Sequence, residues 1–274
     1  MDRYGARAVF TPNPATSTDE VIVEPSDRTK ARRAAVLAAN ACAHLQHKPG
    51  SGGHLELDSN VPIGLGMGSS TSDVIAAVRA VAASCNVTLP SLMIARLAVN
   101  AENATDPLML AGRPLLFAQR EGRVLEDLGG ALPPTVVLGC GTGNGRPVDT
   151  LSLPTIKYGD DDLEHFERLR AALRRAVADA DVRLLGRVCT ESARSNQRVH
   201  VKEELGLLED LAGAFGAAGV QVAHSGNVAG LLFDPRSSKL RSRIGRCARE
   251  LVAHGLQITG VFRAGGHAVA HQPH

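Results

Sequence analysis

Tryptophan is absent from this chain, and only six Phe and two Tyr stand among its 274 residues. Modules that stack nucleic-acid bases on aromatic side chains need more than that. Charge of one sign is lacking too, since 30 Lys and Arg against 28 Asp and Glu leave a formal charge of +2. No strong field therefore draws the protein to nucleic acid or to a membrane surface. Cysteine is sparse: Cys42, Cys85, Cys140, Cys189 and Cys247 are odd in number and widely scattered, with no C-x-x-C. That pattern argues against a disulfide framework and a clustered-ligand zinc site, and buried free thiols in a reducing cytosol are expected. No run approaches the ~18 apolar residues of a membrane span. Residues 1–7 lack the apolar stretch of a secretory signal, so a cytoplasmic location is expected. What remains is ordinary for a globular protein, with 44% hydrophobic and 21% charged residues. A chain of 28.7 kDa buries roughly 73% of its surface on folding, enough for a core without staples.

Periodicity suggests mixed helices and strands. Residues 6–24 read as a strand, a turn at Pro12-Asn13-Pro14 and a short strand through Val21-Ile22-Val23. Asp27 offers an N-cap to an Ala-rich helix over 29–46. Residues 48–53 read as a loop and 54–58 as a half-exposed strand. Helices follow over 72–84 and 89–101, the latter with Leu92, Leu97 and Ala101 as core positions. A short strand covers 136–138. The second half predicts helices over 161–177, 183–196, 203–217 and 236–253, with strands at 220–222, 228–233 and 256–262. Strict βαβ alternation is missing, which favours an α+β fold. The Pro133-Pro134 region suggests a boundary between lobes 1–132 and 133–274.

The most informative segment is Asn60-Val61-Pro62-Ile63-Gly64-Leu65-Gly66-Met67-Gly68-Ser69-Ser70-Thr71-Ser72. Three alternating glycines let the backbone turn sharply and come close to a ligand. A helix start behind them supplies unpaired N–H groups and a positive dipole end, which together suit phosphate. The Ser and Thr hydroxyls can donate to phosphate or ligate Mg²⁺. The Walker motif is excluded because the chain has no Gly-Lys pair, and the dinucleotide fingerprint because Ser69 stands where its third Gly belongs. The plainer alternative is a tight loop with a Ser helix cap.

Pro62 to Ser70 resembles the second motif of the GHMP kinases, the superfamily of galactokinase, homoserine kinase, mevalonate kinase and phosphomevalonate kinase, with Met67 in place of the usual Leu. Thr71-Ser72 resembles a narrower branch, the bacterial L-threonine kinases of cobalamin side-chain synthesis. Thr105-Asp106-Pro107-Leu108-Met109, Ser192-Ala193-Arg194-Ser195-Asn196-Gln197 and His224-Ser225-Gly226-Asn227-Val228 through Phe233 are similar to segments of that branch. The resemblance implies a two-lobed α+β fold, with a ribosomal-S5-domain-2-like N-lobe and a ferredoxin-like C-lobe. It implies an ATP- and Mg²⁺-dependent kinase acting on a small-molecule acceptor, with no nucleic-acid or membrane partner and a homodimer left open. Pro62, Gly64, Gly66, Met67, Gly68, Ser69, Ser70 and Thr71 would then hold ATP, joined by Ser225 and Gly226. Ser70 and Glu102 would hold Mg²⁺, and Asp106 would orient or deprotonate the acceptor hydroxyl.

The residues also carry plainer readings. Glu102 lies one helical step, about 100°, from the position at which the branch carries its Glu, and could be a solvated helix-end charge. Asp106 could be a turn residue before Pro107, and Ser225-Gly226 a hairpin turn. Asn196 and Gln197 are either substrate contacts or a polar helix end, and His224 receives no catalytic role. Residues 139–145 look nucleotide-like but fit no motif and read as a flexible loop. His267, His271 and His274 read as a frayed tail. The superfamily's first motif is not found before Asp2-Arg3-Tyr4, which resembles the segment following it. A late start or a real loss are the two explanations. Three functions stay in play: L-threonine or a similar amino acid as acceptor, another alcohol such as homoserine, a sugar or an isoprenoid intermediate, or an ATP-binding homologue without catalysis.

Overall fold

The computed structural model describes residues 4–110, 112–143 and 156–266. They form two compact units, one of residues 4–63, 68–110 and 115–127, the other of residues 64–67, 112–114 and 128–266. The histidines at 267, 271 and 274, and positions 144–145 of the Gly-rich segment, lie outside the described residues.

The first unit is built on a three-stranded sheet of order β1-β3-β2, from β1 (Ala6–Asn13), β2 (Val21–Glu24) and β3 (Gly52–Ser59). β1 runs antiparallel to β3, whereas β2 runs parallel to it. A parallel neighbour needs a crossover, and α1 (Thr29–Gln46) supplies it. Ala31, Ala34, Ala35, Ala38 and Cys42 make its buried stripe, small enough for close packing against α2 (Ser69–Ser84). On α2, Val74, Val78 and Val81 are fully buried at helical spacing. Asp27 does not cap α1 as expected. The N-cap is Arg28 and carries no side-chain cap bond, because the Asp27 carboxylate pairs with the Arg28 guanidinium at 3.1 Å. In α3 (Ser91–Glu102), Ile94, Leu97, Ala98 and Ala101 form the core face. Leu92 points the other way and is 49% exposed, which corrects its assignment to the core. A 3₁₀ turn at Leu108–Leu110 and the hairpin β4 (Leu115–Ala118)/β5 (Arg123–Asp127) complete the unit. The hairpin went unread because its strands are short and a bulge breaks their alternation between Leu116 and Phe117.

The second unit contains β6 (Thr135–Gly141), α4 (Asp160–Ala178), α5 (Val182–Asn196), α6 (Leu205–Phe215), β7 (Gly219–Val222), β8 (Val228–Phe233), α7 (Leu240–Ala253) and β9 (Ile258–Ala264). Its four strands pair antiparallel in the order β7-β8-β6-β9. This is the strand-helix-strand-strand-helix-strand arrangement of the ferredoxin-like motif. Leu138, Leu208, Leu231, Phe233 and Leu251 fill the core. Residues 139–141 are not a loop but the end of the central strand. A Cβ on Gly139 would stand 2.4 Å from Thr259 Oγ1 on the neighbouring strand, so the glycine serves strand packing.

Helix α5 presses directly on β7. A Cβ on Gly186 would lie 2.3 Å from the Ala218 carbonyl, and one on Gly219 would lie 2.1 Å from Gly186 O. Gly186→Ala is therefore expected to lower the unfolding free energy by about 1–3 kcal/mol. Gly206→Ala, where nothing stands within 4 Å of the added methyl, should be neutral or stabilising by up to about 1 kcal/mol. Urea denaturation of the two variants checks the contrast.

Candidate active site

In the first unit, chemistry gathers where α2 begins and α3 ends. Gly68 is the N-cap of α2 in the left-handed region (φ 76°), and no side chain caps the helix. The expected helix start at 72 moves back to Ser69, so Ser69, Ser70 and Thr71 form the first turn. The plainer reading of a Ser cap does not hold. An uncapped N-terminus leaves its N–H groups and positive dipole end available to an anion. Asn103, left-handed at φ 68°, terminates α3 and directs its N–H to Val99 O. Glu102 is thereby the last helical residue, and it faces α2. Its carboxylate accepts from Ser70 Oγ at 2.6 Å and from Thr71 Oγ1 at 2.9 Å. Thr71 Oγ1 also accepts from the Asp106 amide at 3.4 Å. Asp106 Oδ1 accepts from Gln119 Nε2 at 2.8 Å, and Oδ2 lies 3.6 Å from where a Cβ on Gly68 would stand. One carboxylate is thus bound to two hydroxyls, while the other lies beside the glycine that opens the helix.

A further acid, Asp73, lies in the second turn of α2. Asp73 is 5% exposed and lies 3.4 Å from Arg28 Nε. Burial raises its carboxyl above the usual range, and the Ser59 hydroxyl and the Arg28 charge offset that only in part.

In the second unit, residues 64–67 meet the turn between β7 and β8. Gly64 and Gly66 have φ of 75° and 82°, a region L side chains avoid. A Cβ on Gly66 would stand 2.7 Å from Gly226 Cα, and one on Gly226 would stand 2.3 Å from Gly66 Cα. Only two glycines allow backbones this close. Lys202, 3% exposed, donates from Nζ to Gly226 O at 2.6 Å. Burial pushes its ammonium down to about 8, with nearby Glu204 opposing. Gln197 exchanges two bonds with the Lys202 backbone, at 2.9 and 2.8 Å, and Asn196 Nδ2 reaches His224 O at 3.5 Å. Both residues therefore hold the chain itself. Thr142 N donates to Asn227 O at 2.9 Å and Gly143 N to Glu204 Oε1 at 2.7 Å, so the end of β6 is tied to the same turn. Gly66 and Met67 also wall a cavity of about 410 Å³ with Val137, Gln221, Thr259 and Phe262.

The model of the GHMP kinases N terminal domain matches residues 33–109. A 4-diphosphocytidyl-2-C-methyl-D-erythritol kinase of Chlorobaculum parvum is 30% identical over 211 residues, 73% of this chain and 68% of that protein. The chain belongs to the GHMP kinases. Its counterpart in Chlorobaculum tepidum is 26% identical over 243 residues, 85% of this chain and 80% of that protein. Among solved structures, a homoserine kinase from Cytophaga hutchinsonii superposes with a TM-score of 0.68 at 16% identity, covering 96% of each chain. The L. major mevalonate kinase in complex with R-mevalonate gives 0.58 at 17% identity, covering 97% of this chain and 87% of that one. These likenesses establish the fold. GHMP kinases are phosphotransferases that use ATP, generally with Mg²⁺, on small-molecule alcohols.

In this GHMP kinase the sequence-identified residues fall into both units. Gly68, Ser69, Ser70, Thr71, Glu102 and Asp106 lie together in the first, and Gly64, Gly66, Met67 and Gly226 lie together in the second, with Ser225 exposed on the turn. Pro62 precedes the loop in the first. Sequence reasoning missed Gln119 and Lys202. Gln119 sits at the turn of the unread hairpin, and Lys202 follows a helix end with no motif to mark it. The hydroxyl and carboxylate of Ser70 and Glu102 are hard oxygen donors of the kind Mg²⁺ takes, so the residues present fit that ion.

Lys202 gives a pH signature. Between pH about 8 and its ordinary value of 10.5 the unfolded chain keeps a proton that the folded chain has released. The stability of the wild type relative to Lys202→Met should rise with pH through that window and be flat below it. Denaturation curves of both proteins at pH 7, 8.5 and 10 read the difference.

Proposed function

We propose that this chain transfers the γ-phosphate of ATP to the hydroxyl of a small molecule, with L-threonine or a similar amino acid as the first acceptor class. The observation that carries the transfer reaction is the pairing of Ser70 and Thr71 with Glu102, next to an Asp106 carboxylate held beside Gly68. Phosphoryl transfer is mostly positioning and charge neutralisation. In this reading the α2 dipole and the amides of residues 68–70 take phosphate in the first unit, with Ser69 on phosphate, and in the second unit residues 64–67 with Ser225-Gly226 are a further candidate phosphate contact. Ser70 and Glu102 hold Mg²⁺, which supplies neutralisation of phosphate charge. Gln119 pins Asp106 Oδ1, leaving Oδ2 to orient the acceptor hydroxyl and take its proton. Thr71, whose hydroxyl is committed to Glu102, positions both carboxylates. The amino-acid acceptor rests on the Thr105–Met109, Ser192–Gln197 and His224–Phe233 segments.

A second acceptor class, another alcohol such as a sugar or an isoprenoid intermediate, is favoured by two observations. The cavity beside Gly66 and Met67 is lined by no charged side chain, and the curated relatives are named as 4-diphosphocytidyl-2-C-methyl-D-erythritol kinases.

ADP release with threonine, serine, homoserine, mevalonate and 4-diphosphocytidyl-2-C-methyl-D-erythritol separates the two, and ATP binding without turnover on any of them would point to a non-catalytic homologue. On the active acceptor, Asp106→Asn is expected to lower kcat by about 10²–10⁴. Gln119→Leu should cost roughly tenfold, the order of one hydrogen bond to a charged group. Full activity in Asp106→Asn sinks the assignment.

A further inference from the structure

A second cavity in the unit of residues 128–266 stands apart from the phosphate loop. It measures about 360 Å³ and is walled by Arg183 and Arg187 of α5, Arg243 of α7, the turn at Gly216, and Asp234 and Ser237 after β8. Arg183 and Arg187 are one helical turn apart and exposed, and Arg243 is half-buried. Among the described residues none of the three guanidiniums makes a hydrogen bond or an ion pair. The carboxylate in the wall is already taken: Arg236 binds Asp234 through Nε at 3.0 Å and Nη2 at 3.0 Å, and through its amide at 2.9 Å. Asp181, the other acid nearby, caps α5 by accepting from the amides of Arg183 at 2.9 Å and Leu184 at 3.0 Å. Four guanidiniums therefore share two carboxylates: Asp181 feels the charges of Arg187 and Arg183, and Asp234 that of Arg183, but neither carboxylate forms a hydrogen bond or ion pair with them, and among the described residues Arg243 faces no carboxylate of its own.

We propose that this cavity binds a small phosphate-bearing anion, with a diphosphate preferred to a single phosphate. Like charges four residues apart on one helix repel, and an anion between them turns that repulsion into attraction. Arginine suits this because its planar fork meets phosphate oxygens two at a time. The lining favours a charged ligand over an apolar one. No apolar side chain larger than Ala lines it, so an apolar ligand gains little there. Its volume of about 360 Å³ admits a diphosphate or a phosphate ester. Three arginines converging from two helices favour several phosphate oxygens over the three or four of one group. None of residues 64–70 lines the cavity, so a phosphorylated metabolite could occupy it together with nucleotide, and its site stands whether or not the kinase reading holds.

Titration calorimetry of the full chain with inorganic pyrophosphate tests the proposal. A non-hydrolysable ATP analogue is kept at saturation to fill the Gly64–Ser70 loop. One saturable site is expected, weaker for inorganic phosphate and weakened by added salt. Arg187→Gln and Arg243→Gln, each made separately, should each lose about tenfold in affinity, with thermal melting unchanged. Arg168→Gln, a charge loss on α4 away from the cavity, should leave it unaltered. Absence of saturable binding at millimolar pyrophosphate overturns the proposal. So does undiminished binding in both cavity variants, or an equal loss in Arg168→Gln.

Discussion

Glu102 closes the first unit's site by accepting from two hydroxyls of another helix, at 2.6 and 2.9 Å. Hydrogen bonds to an ionised carboxylate are among the stronger ones a protein makes, and these two join the last turn of α3 to the first turn of α2. Everything nearby depends on that join. Because Asn103 ends α3 in a left-handed residue, the chain turns immediately and brings Asp106 back to α2. Thr71 then receives the Asp106 amide on the same oxygen that serves Glu102. The uncapped amides of α2, the acid at the end of α3 and the acid after it are thus held by three side chains and one glycine cap.

The second unit solves a different problem, the close approach of two backbones. Gly66 is constrained twice, by its left-handed φ and by Gly226 standing where a Cβ would go. A carbonyl at that turn has to be satisfied without water, and the buried Lys202 ammonium does so. Burying an ammonium costs free energy, which the lowered value of its proton affinity registers. A helix dipole and loop amides act at short range, so an anion bound at such a helix start needs no global basic field.

What the sequence revealed follows from what its patterns encode. The alanine stripe of α1 and the apolar run of β8 carry their own period, so both were readable, as was the glycine alternation of residues 64–68, which only a left-handed backbone requires. Glu102 was nameable as a carboxylate near the motif, yet its direction was not. A 100° step decides whether it faces α2, and the left-handed Asn103 settles that step through local geometry. Gln119, Lys202 and the Arg28–Asp73 pair left no trace because each acts on a partner far along the chain, and no periodicity records such a contact. The same applies to Asn196 and Gln197: a polar helix end looks alike whether it touches a ligand or the protein's own carbonyls.

Acceptor choice has to come from outside the motif. In the proposed reaction the loop, Glu102 and Asp106 would treat any alcohol oxygen alike, since their proposed contacts are with phosphate and one hydroxyl, and a fold shared by homoserine, mevalonate and diphosphocytidyl-methylerythritol kinases carries many acceptors. The cavity beside Met67 offers Val137, Val222 and Phe262 with Gln221 and Thr259 as its polar groups, and no ionised partner. An amino acid placed wholly inside it would bury an ammonium and a carboxylate without counter-charges, a cost of several kcal/mol. A threonine could use that space only for its methyl group, with its charged end elsewhere. An uncharged alcohol such as a sugar meets no such penalty, whereas an acceptor bearing a carboxylate or a diphosphate would, like an amino acid, have to keep its charge outside that cavity.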